Sequence, residues 1–304
     1  MRGSEPSADA VAAAVEALGS PEDFVCWGAR RFSEHGLHFG HGTDNARDEA
    51  RWLVLHALGL DPQFTGALPQ LELSRDQREA VAALIERRIA SRKPAAYLTG
   101  TAWFAGLKFY VDERVLVPRS PIAEWIERAF EPFLDPARVS RILDLGTGCG
   151  CIAVALALAF AEAQVDASDV SPAALQVARI NVEAHGLTNR VRLIQSDAFD
   201  GLREKYDLIV SNPPYVPEPS FSKLPQEYRH EPAGGLVAGS EGLDVISRII
   251  REAPRFLLPK GLLVVEAGEA REALESRYPE LPFLWLEMTG GGDDVFALSK
   301  EELT

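Results

Sequence analysis

Of the 304 residues, the run Asp144-Leu145-Gly146-Thr147-Gly148-Cys149-Gly150 most constrains the fold. It closes the apolar run Ile142-Leu143-Asp144-Leu145 and leads into helical apolar positions that begin at Ile152, so it reads as a tight turn from a buried strand into a helix. Three alternating glycines let the backbone bend sharply and approach a ligand, and the new helix presents unpaired N–H groups there. Such a loop suits nicotinamide, flavin and S-adenosyl ligands alike.

The pattern around the loop extends this to an α/β fold. From Arg141 onward, short apolar runs (142–145, 164–167, 191–194, 208–210 and 262–265) alternate with helical segments near 149–160, 172–184 and 242–257. That alternation predicts a Rossmann-like, mostly parallel sheet with helices on both faces and ligands at the carboxyl ends of its strands. The first hundred residues differ, with helical spacing over 43–59 and a capping box from Ser74 to Gln77 opening a helix through Ile89. Aromatic and branched residues from Phe104 to Asp112 then suggest a β-hairpin. The expected organisation is a helical domain over 1–98 that recognises substrate, a hairpin connector over 99–118 and a catalytic domain over 119–304.

The strand ends carry the polar residues. Asp169 ends the run after the glycine loop, where a carboxylate typically meets ribose hydroxyls, and Asp197-Ala198 ends the next, where a carboxylate and backbone meet an adenine edge. A dinucleotide fingerprint spaces its glycines as Gly-x-Gly-x-x-Gly, whereas this loop is Gly-x-Gly-x-Gly with Asp144 leading it. An acid so placed disfavours a pyrophosphate and suits a cationic ligand. The expected cofactor is S-adenosylmethionine, held by Asp144, Gly146, Thr147, Gly148, Gly150, Asp169, Asp197, Ala198 and Asn212, with no metal.

The fourth run ends in Asn212-Pro213-Pro214-Tyr215. Tandem prolines remove two N–H donors and stiffen the turn, which therefore presents carbonyl oxygens. The Asn212 side-chain oxygen and the Pro213 carbonyl can together hold both hydrogens of an NH₂ group. Two fixed acceptors orient a poorly nucleophilic, planar nitrogen and stabilise charge as it develops, so no strong base is needed. Asn212, Pro213 and Tyr215 are the expected catalytic residues, with Tyr215 flat against the planar group and Pro214 and Phe104 completing the substrate site.

Together these residues resemble the class I methyltransferases that act on amide or exocyclic nitrogens. Within that class the chain is similar to the protein-glutamine methyltransferases related to the release factor enzyme. The resemblance runs from the helical N-terminal region through the hairpin at Phe104, Val117 to Glu124, the glycine loop and Asp169 to Asn212–Tyr215. It implies that Asn212 and Pro213 hold a glutamine amide, that Gly146, Gly148, Gly150, Asp169 and Ala198 line the cofactor, and that Phe104 lies near the substrate. The segments Val117–Glu124 and Leu224–Pro232 resemble the branch acting on large-subunit ribosomal protein L-three. The release factor branch carries Pro-Arg-Pro-Asp-Thr-Glu where this chain has Pro118-Arg119-Ser120-Pro121-Ile122-Ala123.

Charge bears on the partner. The net charge is −14, about −3 in residues 1–98 and about −11 in the rest, so the acidity lies with the catalytic part and no basic stripe for nucleic acid is expected. A basic protein substrate, ribosomal protein L-three or a release factor, fits better. An adenine methyltransferase and a non-catalytic assembly factor are the competing readings. No apolar stretch approaches the roughly 20 residues of a membrane helix, and the N-terminus lacks a secretory pattern, so a cytoplasmic protein is expected. Cys26, Cys149 and Cys151 read as reduced thiols. The prolines at 217, 219, 225 and 232 mark a long irregular loop of substrate recognition, in which His230 is a weak candidate proton acceptor.

Overall fold

The computed structural model describes residues 7–62, 66, 68, 71–289 and 294–304. They form two compact units, one running to Thr101 and including Pro225–His230, the other comprising Ala102–Leu224 and Glu231–Thr304.

The first unit is helical: α1 (Ala8–Ala17), α2 (Pro21–Glu34), α3 (Ala46–Ala57), α4 (Arg75–Ser91) and α5 (Ala95–Thr99). Each of the first four starts on a polar cap. Ser20 and Ser74 make complete capping boxes, and the Asn45 side chain accepts the Arg47 and Asp48 N–H groups. An ion cluster crosses the interior of this unit. The fully buried Arg88 donates to Glu49 at 2.7 Å and to the His38 carbonyl at 3.0 Å, while Glu227 accepts from Arg92 at 3.0 Å and from the His38 N–H at 3.1 Å. Paired in this way, the buried charges are tolerated; removing one partner would leave the other unsatisfied. His230, in the same segment as Glu227, sits 3.0 Å from the Ser91 carbonyl.

The second unit opens with a hairpin, β1 (Thr101–Phe104) and β2 (Leu107–Tyr110), followed by α6 (Ile122–Glu127). Strands and helices then alternate: β3 (Arg141–Leu145), α7 (Cys151–Ala159), β4 (Gln164–Asp169), α8 (Pro172–Ala184), β5 (Val191–Gln195), β6 (Tyr206–Ser211), α9 (Glu218–Phe221), α10 (Asp244–Phe256), β7 (Leu257–Glu266), α11 (Arg271–Arg277), β8 (Leu284–Trp285) and β9 (Val295–Ser299). The sheet order is β5-β4-β3-β6-β7-β9-β8, with β3 to β7 parallel and β9 and β8 antiparallel at one edge. The chain leaves β3 for β4 on one side and later returns to lay β6 on the other. That reversal opens a crevice at the carboxyl ends of β3 and β6.

Burial follows the sequence pattern. Ile142, Leu143 and Leu145 of β3, Leu208 to Val210 of β6 and Leu262 to Val265 of β7 are buried, as central parallel strands covered on both faces must be. The helix after the glycine loop, α7, is buried along nearly its whole length. On α10, Ile246, Ile249, Ile250 and Ala253 face a core that includes Leu143, Ile209, Leu263 and Phe296.

The stretch between β6 and α10 differs from the irregular loop expected. Short helical turns occupy Glu218–Phe221, Gln226–His230 and Ala233–Gly235, and Val216 bridges Val237 in parallel. Pro217 and Pro232 stand immediately before two of these turns, so prolines that read as loop markers instead initiate helical turns.

Candidate functional site

A cavity of about 600 Å³ opens in the second unit at the carboxyl ends of the strands. Its lining includes Gly146, Thr147 and Gly148 after β3, Asp169 at the end of β4, Ser196 to Ala198 after β5, Ser211 to Tyr215 at the end of β6 and Glu266 at the end of β7. Five consecutive parallel strands thus deliver their terminal residues to one place.

The glycine loop is built by backbone conformation. Gly146, Gly148 and Gly150 have φ of +79°, +55° and +83°, a region that side chains with a Cβ rarely occupy. The N–H groups of Gly146 and Thr147 both donate to the Ser168 carbonyl at 2.8 Å, tying the loop to the end of β4. Asp169 reinforces the tie, its Oδ2 accepting the Gly148 N–H at 2.9 Å and its Oδ1 the Ser171 N–H at 2.8 Å. Each carboxylate oxygen keeps a lone pair for a further donor. Burial raises the Asp169 carboxyl above its usual range, with the N–H bonds opposing that shift.

Two residues expected to line the ligand do other work. Asp144 is fully buried and absent from the cavity wall; its Oδ2 accepts the Thr147 hydroxyl at 2.5 Å and the Ala153 N–H at 3.0 Å. Oδ2 therefore satisfies an open N–H in the first turn of α7 and holds the loop, while Oδ1 is buried without a hydrogen-bond partner among the described residues. Burial pushes its carboxyl up to about 7. Gly150 also stands off the wall, because a Cβ there would lie 3.3 Å from the Cβ of Ala178; the glycine permits close packing of α7 on α8.

The turn after β5 is held by a hydroxyl and a guanidinium. Ala198 adopts φ +46°, a strained value for alanine, while the Ser196 hydroxyl donates to the Ala198 carbonyl at 2.8 Å and also to that of Asp200. Arg248 of α10 bonds Asp197 Oδ1 at 2.8 Å and its carbonyl at 3.2 Å, and pairs with Asp200 at 2.9 Å. Asp197 and Ala198 both face the cavity.

Asn212 and Pro213 both line the cavity, and among the described residues the half-buried Asn212 side chain makes no hydrogen bond. The strand beneath is fixed by the Ser211 hydroxyl, which donates to the Leu145 carbonyl at 2.7 Å. Tyr215 is not free to turn. Its hydroxyl donates to Glu266 at 2.9 Å, and a Cβ on Gly268 would fall 2.4 Å from the ring, so ring and backbone are in direct contact. Beside this end, Arg119 grips the buried Glu231 through two bonds of 2.6 and 2.8 Å, and Glu231 also accepts the Val117 N–H at 3.0 Å.

Phe104 is only 5% exposed and does not line the cavity. His230 is absent from the wall as well. Sequence reading passed over Glu266, Ser120 and Arg248. Glu266 was within reach of it, since it follows the run 262–265 as Asp169 follows its own strand; Arg248 was not, since its partner lies 51 residues away in sequence.

Comparison with known proteins accords with this geometry. A family description named Methyltransferase small domain matches residues 128–223, and PrmC N-terminal domain matches residues 25–100. The chain is 49% identical over 291 residues to the ribosomal protein uL3 glutamine methyltransferase of Neisseria meningitidis serogroup B, covering 95% of this chain and 96% of that relative. It is also 49% identical over 292 residues to the protein of that name from Xylella fastidiosa, covering 96% and 93%. No described helix is long and apolar enough to cross a membrane. With near-complete coverage at this identity, the chain belongs to the ribosomal protein uL3 glutamine methyltransferase family.

Proposed function

We propose that this chain transfers a methyl group from S-adenosylmethionine to the side-chain amide nitrogen of a glutamine in ribosomal protein uL3. The observation that carries the reading is the cavity itself, whose walls include a backbone-built glycine loop, Asp169, Pro213 and the Asn212 amide, which makes no hydrogen bond among the described residues.

A cavity of about 600 Å³ suits a cofactor of this size, and its wall has the required chemistry: glycine backbone, a carboxylate with spare acceptor capacity and a rigid turn at Asp197–Ala198. Gly146, Gly148, Asp169, Asp197 and Ala198 would hold it. When bound, it supplies an electrophilic methyl on a sulfonium sulfur.

The rest of the chemistry falls to the chain. A carboxamide nitrogen is a weak nucleophile because its lone pair is delocalised into the carbonyl. The Asn212 side-chain oxygen and the Pro213 carbonyl accept its two hydrogens, fix its plane and stabilise the positive charge that grows on nitrogen. The backbone that carries these acceptors is preorganised, since the prolines stiffen the turn and Ser211 anchors the strand below it. Tyr215 restricts rotation of the amide. After transfer the nitrogen is acidic, and its proton leaves to water.

The relatives' named substrate and the 49% identity favour uL3 over a release factor, and the acidic second unit favours a basic protein over nucleic acid. We further propose that the enzyme works in the cytoplasm, where such a substrate is synthesised. Purified enzyme and methyl-labelled S-adenosylmethionine, offered separately to uL3, release factors and ribosomal RNA, test the proposal. Label on uL3 alone is expected; label on RNA alone overturns it, and label on release factors in preference to uL3 reassigns the substrate.

A further inference from the structure

Glu266 is a cavity acid that the proposed transfer leaves without a role. It ends β7, is 5% exposed and lines the cavity. Both carboxylate oxygens are engaged: Oε1 accepts the Tyr215 hydroxyl at 2.9 Å, and Oε2 accepts the Ser120 hydroxyl at 2.5 Å. The Ser120 oxygen in turn accepts the N–H of Ile122 at 3.3 Å, at the start of α6. One acid thus joins the ends of β6 and β7 to the entry of α6.

The contact with Tyr215 is doubled. Two residues beyond Glu266, Gly268 adopts φ +48°, and a Cβ there would stand 2.4 to 2.7 Å from three ring carbons of Tyr215. The ring is therefore held at its hydroxyl by Glu266 and along its edge by the backbone that follows. Burying a carboxylate opposes folding unless its partners compensate, and burial does raise this carboxyl above its ordinary range against the two hydroxyl bonds. An apolar group of similar volume would avoid the desolvation of a buried acid. An apolar group would, however, leave the Tyr215 and Ser120 hydroxyls without an acceptor.

We propose that Glu266 is the positioning residue of the methyl-transfer turn: through Oε1 it sets the plane of the Tyr215 ring, and through the ring the plane of the substrate amide, without touching the reacting atoms. This rests on the reading of Asn212 to Tyr215 as the amide site.

The test compares full-length wild type with Glu266→Gln, Tyr215→Phe and the double variant, measuring kcat on uL3 and Kd for S-adenosylmethionine. Glu266→Gln keeps the volume but turns one acceptor into a donor. Each single variant is expected to lose about tenfold in kcat while cofactor Kd stays within about twofold, because misplacement acts on the reacting geometry. The double variant is expected to lose no more than the worse single, because the two residues act as one device. Full kcat in Glu266→Gln, or a double loss equal to the product of the single losses, overturns the proposal. If Glu266→Gln does not fold, Tyr215→Phe decides, and full kcat there overturns it. Asn212→Ala is the control on the underlying reading: unchanged turnover in that variant refutes the amide site itself, whatever Glu266 does.

Discussion

At the glycine-loop end the acids serve the loop itself: Asp144, behind the cavity wall, holds Thr147 and Ala153 through Oδ2, and Asp169 holds Gly148 and Ser171. At the Asn212 end the reverse holds, with a side-chain amide that makes no hydrogen bond among the described residues, beside a Tyr215 that is tied down. The difference separates two tasks. The loop end has to keep a shape that a ligand can enter, so its polar groups serve the backbone first. The turn end has to offer acceptors at the moment of reaction, so its neighbours are fixed and its working groups are left open.

If that division holds, variants at the two ends fail in different ways. The largest effect belongs to Asn212→Ala, for which we expect kcat to fall about 10² to 10³-fold, the loss typical of one preorganised polar contact, with cofactor Kd within about twofold of wild type. Isothermal titration beside steady-state kinetics would read both; a Kd that rises in step with the fall in kcat would erase the distinction between the ends.

At the loop end, Asp144 predicts a pH effect on stability rather than on turnover. Its carboxyl is held at about 7 in the folded chain against 3.8 when exposed. The folded state therefore keeps a proton that the unfolded state has released, and stability falls as pH rises from about 4 to about 7, by at most ~4 kcal/mol. Asp144→Asn removes this titration. The gap in unfolding free energy between variant and wild type, measured by urea at pH 5 and pH 8, should shift in the variant's favour at pH 8. A constant gap would mean that the acid ionises freely.

Asp169→Ala should raise the cofactor Kd about 10 to 100-fold, the equivalent of a charge-assisted hydrogen bond, with kcat at saturating cofactor nearly unchanged. A change in kcat alone would place Asp169 with the turn instead. The smallest effect expected is in Gly150→Ala, which should lower stability by about 1 to 2 kcal/mol because alanine resists φ +83° and its Cβ would crowd Ala178, with little change in the kinetics of the folded enzyme.

The same contrast explains what the sequence made legible. The alternation of apolar runs and helical segments marked β3 to β7 with α7, α8 and α10, because strands buried on both faces must be apolar throughout. The strand-end residues Asp169, Asp197 and Asn212 were visible because sheet topology alone sends them to one crevice. The charge of Asp144 reads as a ligand contact, but the sequence does not show that its Oδ2 takes the Thr147 hydroxyl and the Ala153 N–H. Phe104, expected near the substrate, is buried and stands off the cavity wall. The antiparallel strands β8, at the edge, and β9, between β7 and β8, lie outside the alternation, because antiparallel pairing needs no crossover helix. Glu266, Ser120 and Arg248 depend on partners 51 to 146 residues away, and periodicity carries no record of such pairings.

A methyl group on a glutamine side-chain amide nitrogen is distinguished from one elsewhere by the chemistry of the product. Ribosomal protein uL3 labelled by the enzyme with methyl-labelled S-adenosylmethionine is hydrolysed in strong acid, which cleaves side-chain amides and leaves alkylated amines intact. Release of the label as free methylamine is the predicted result; label retained in methyl-lysine, methyl-arginine or a methyl ester-derived alcohol would contradict the account.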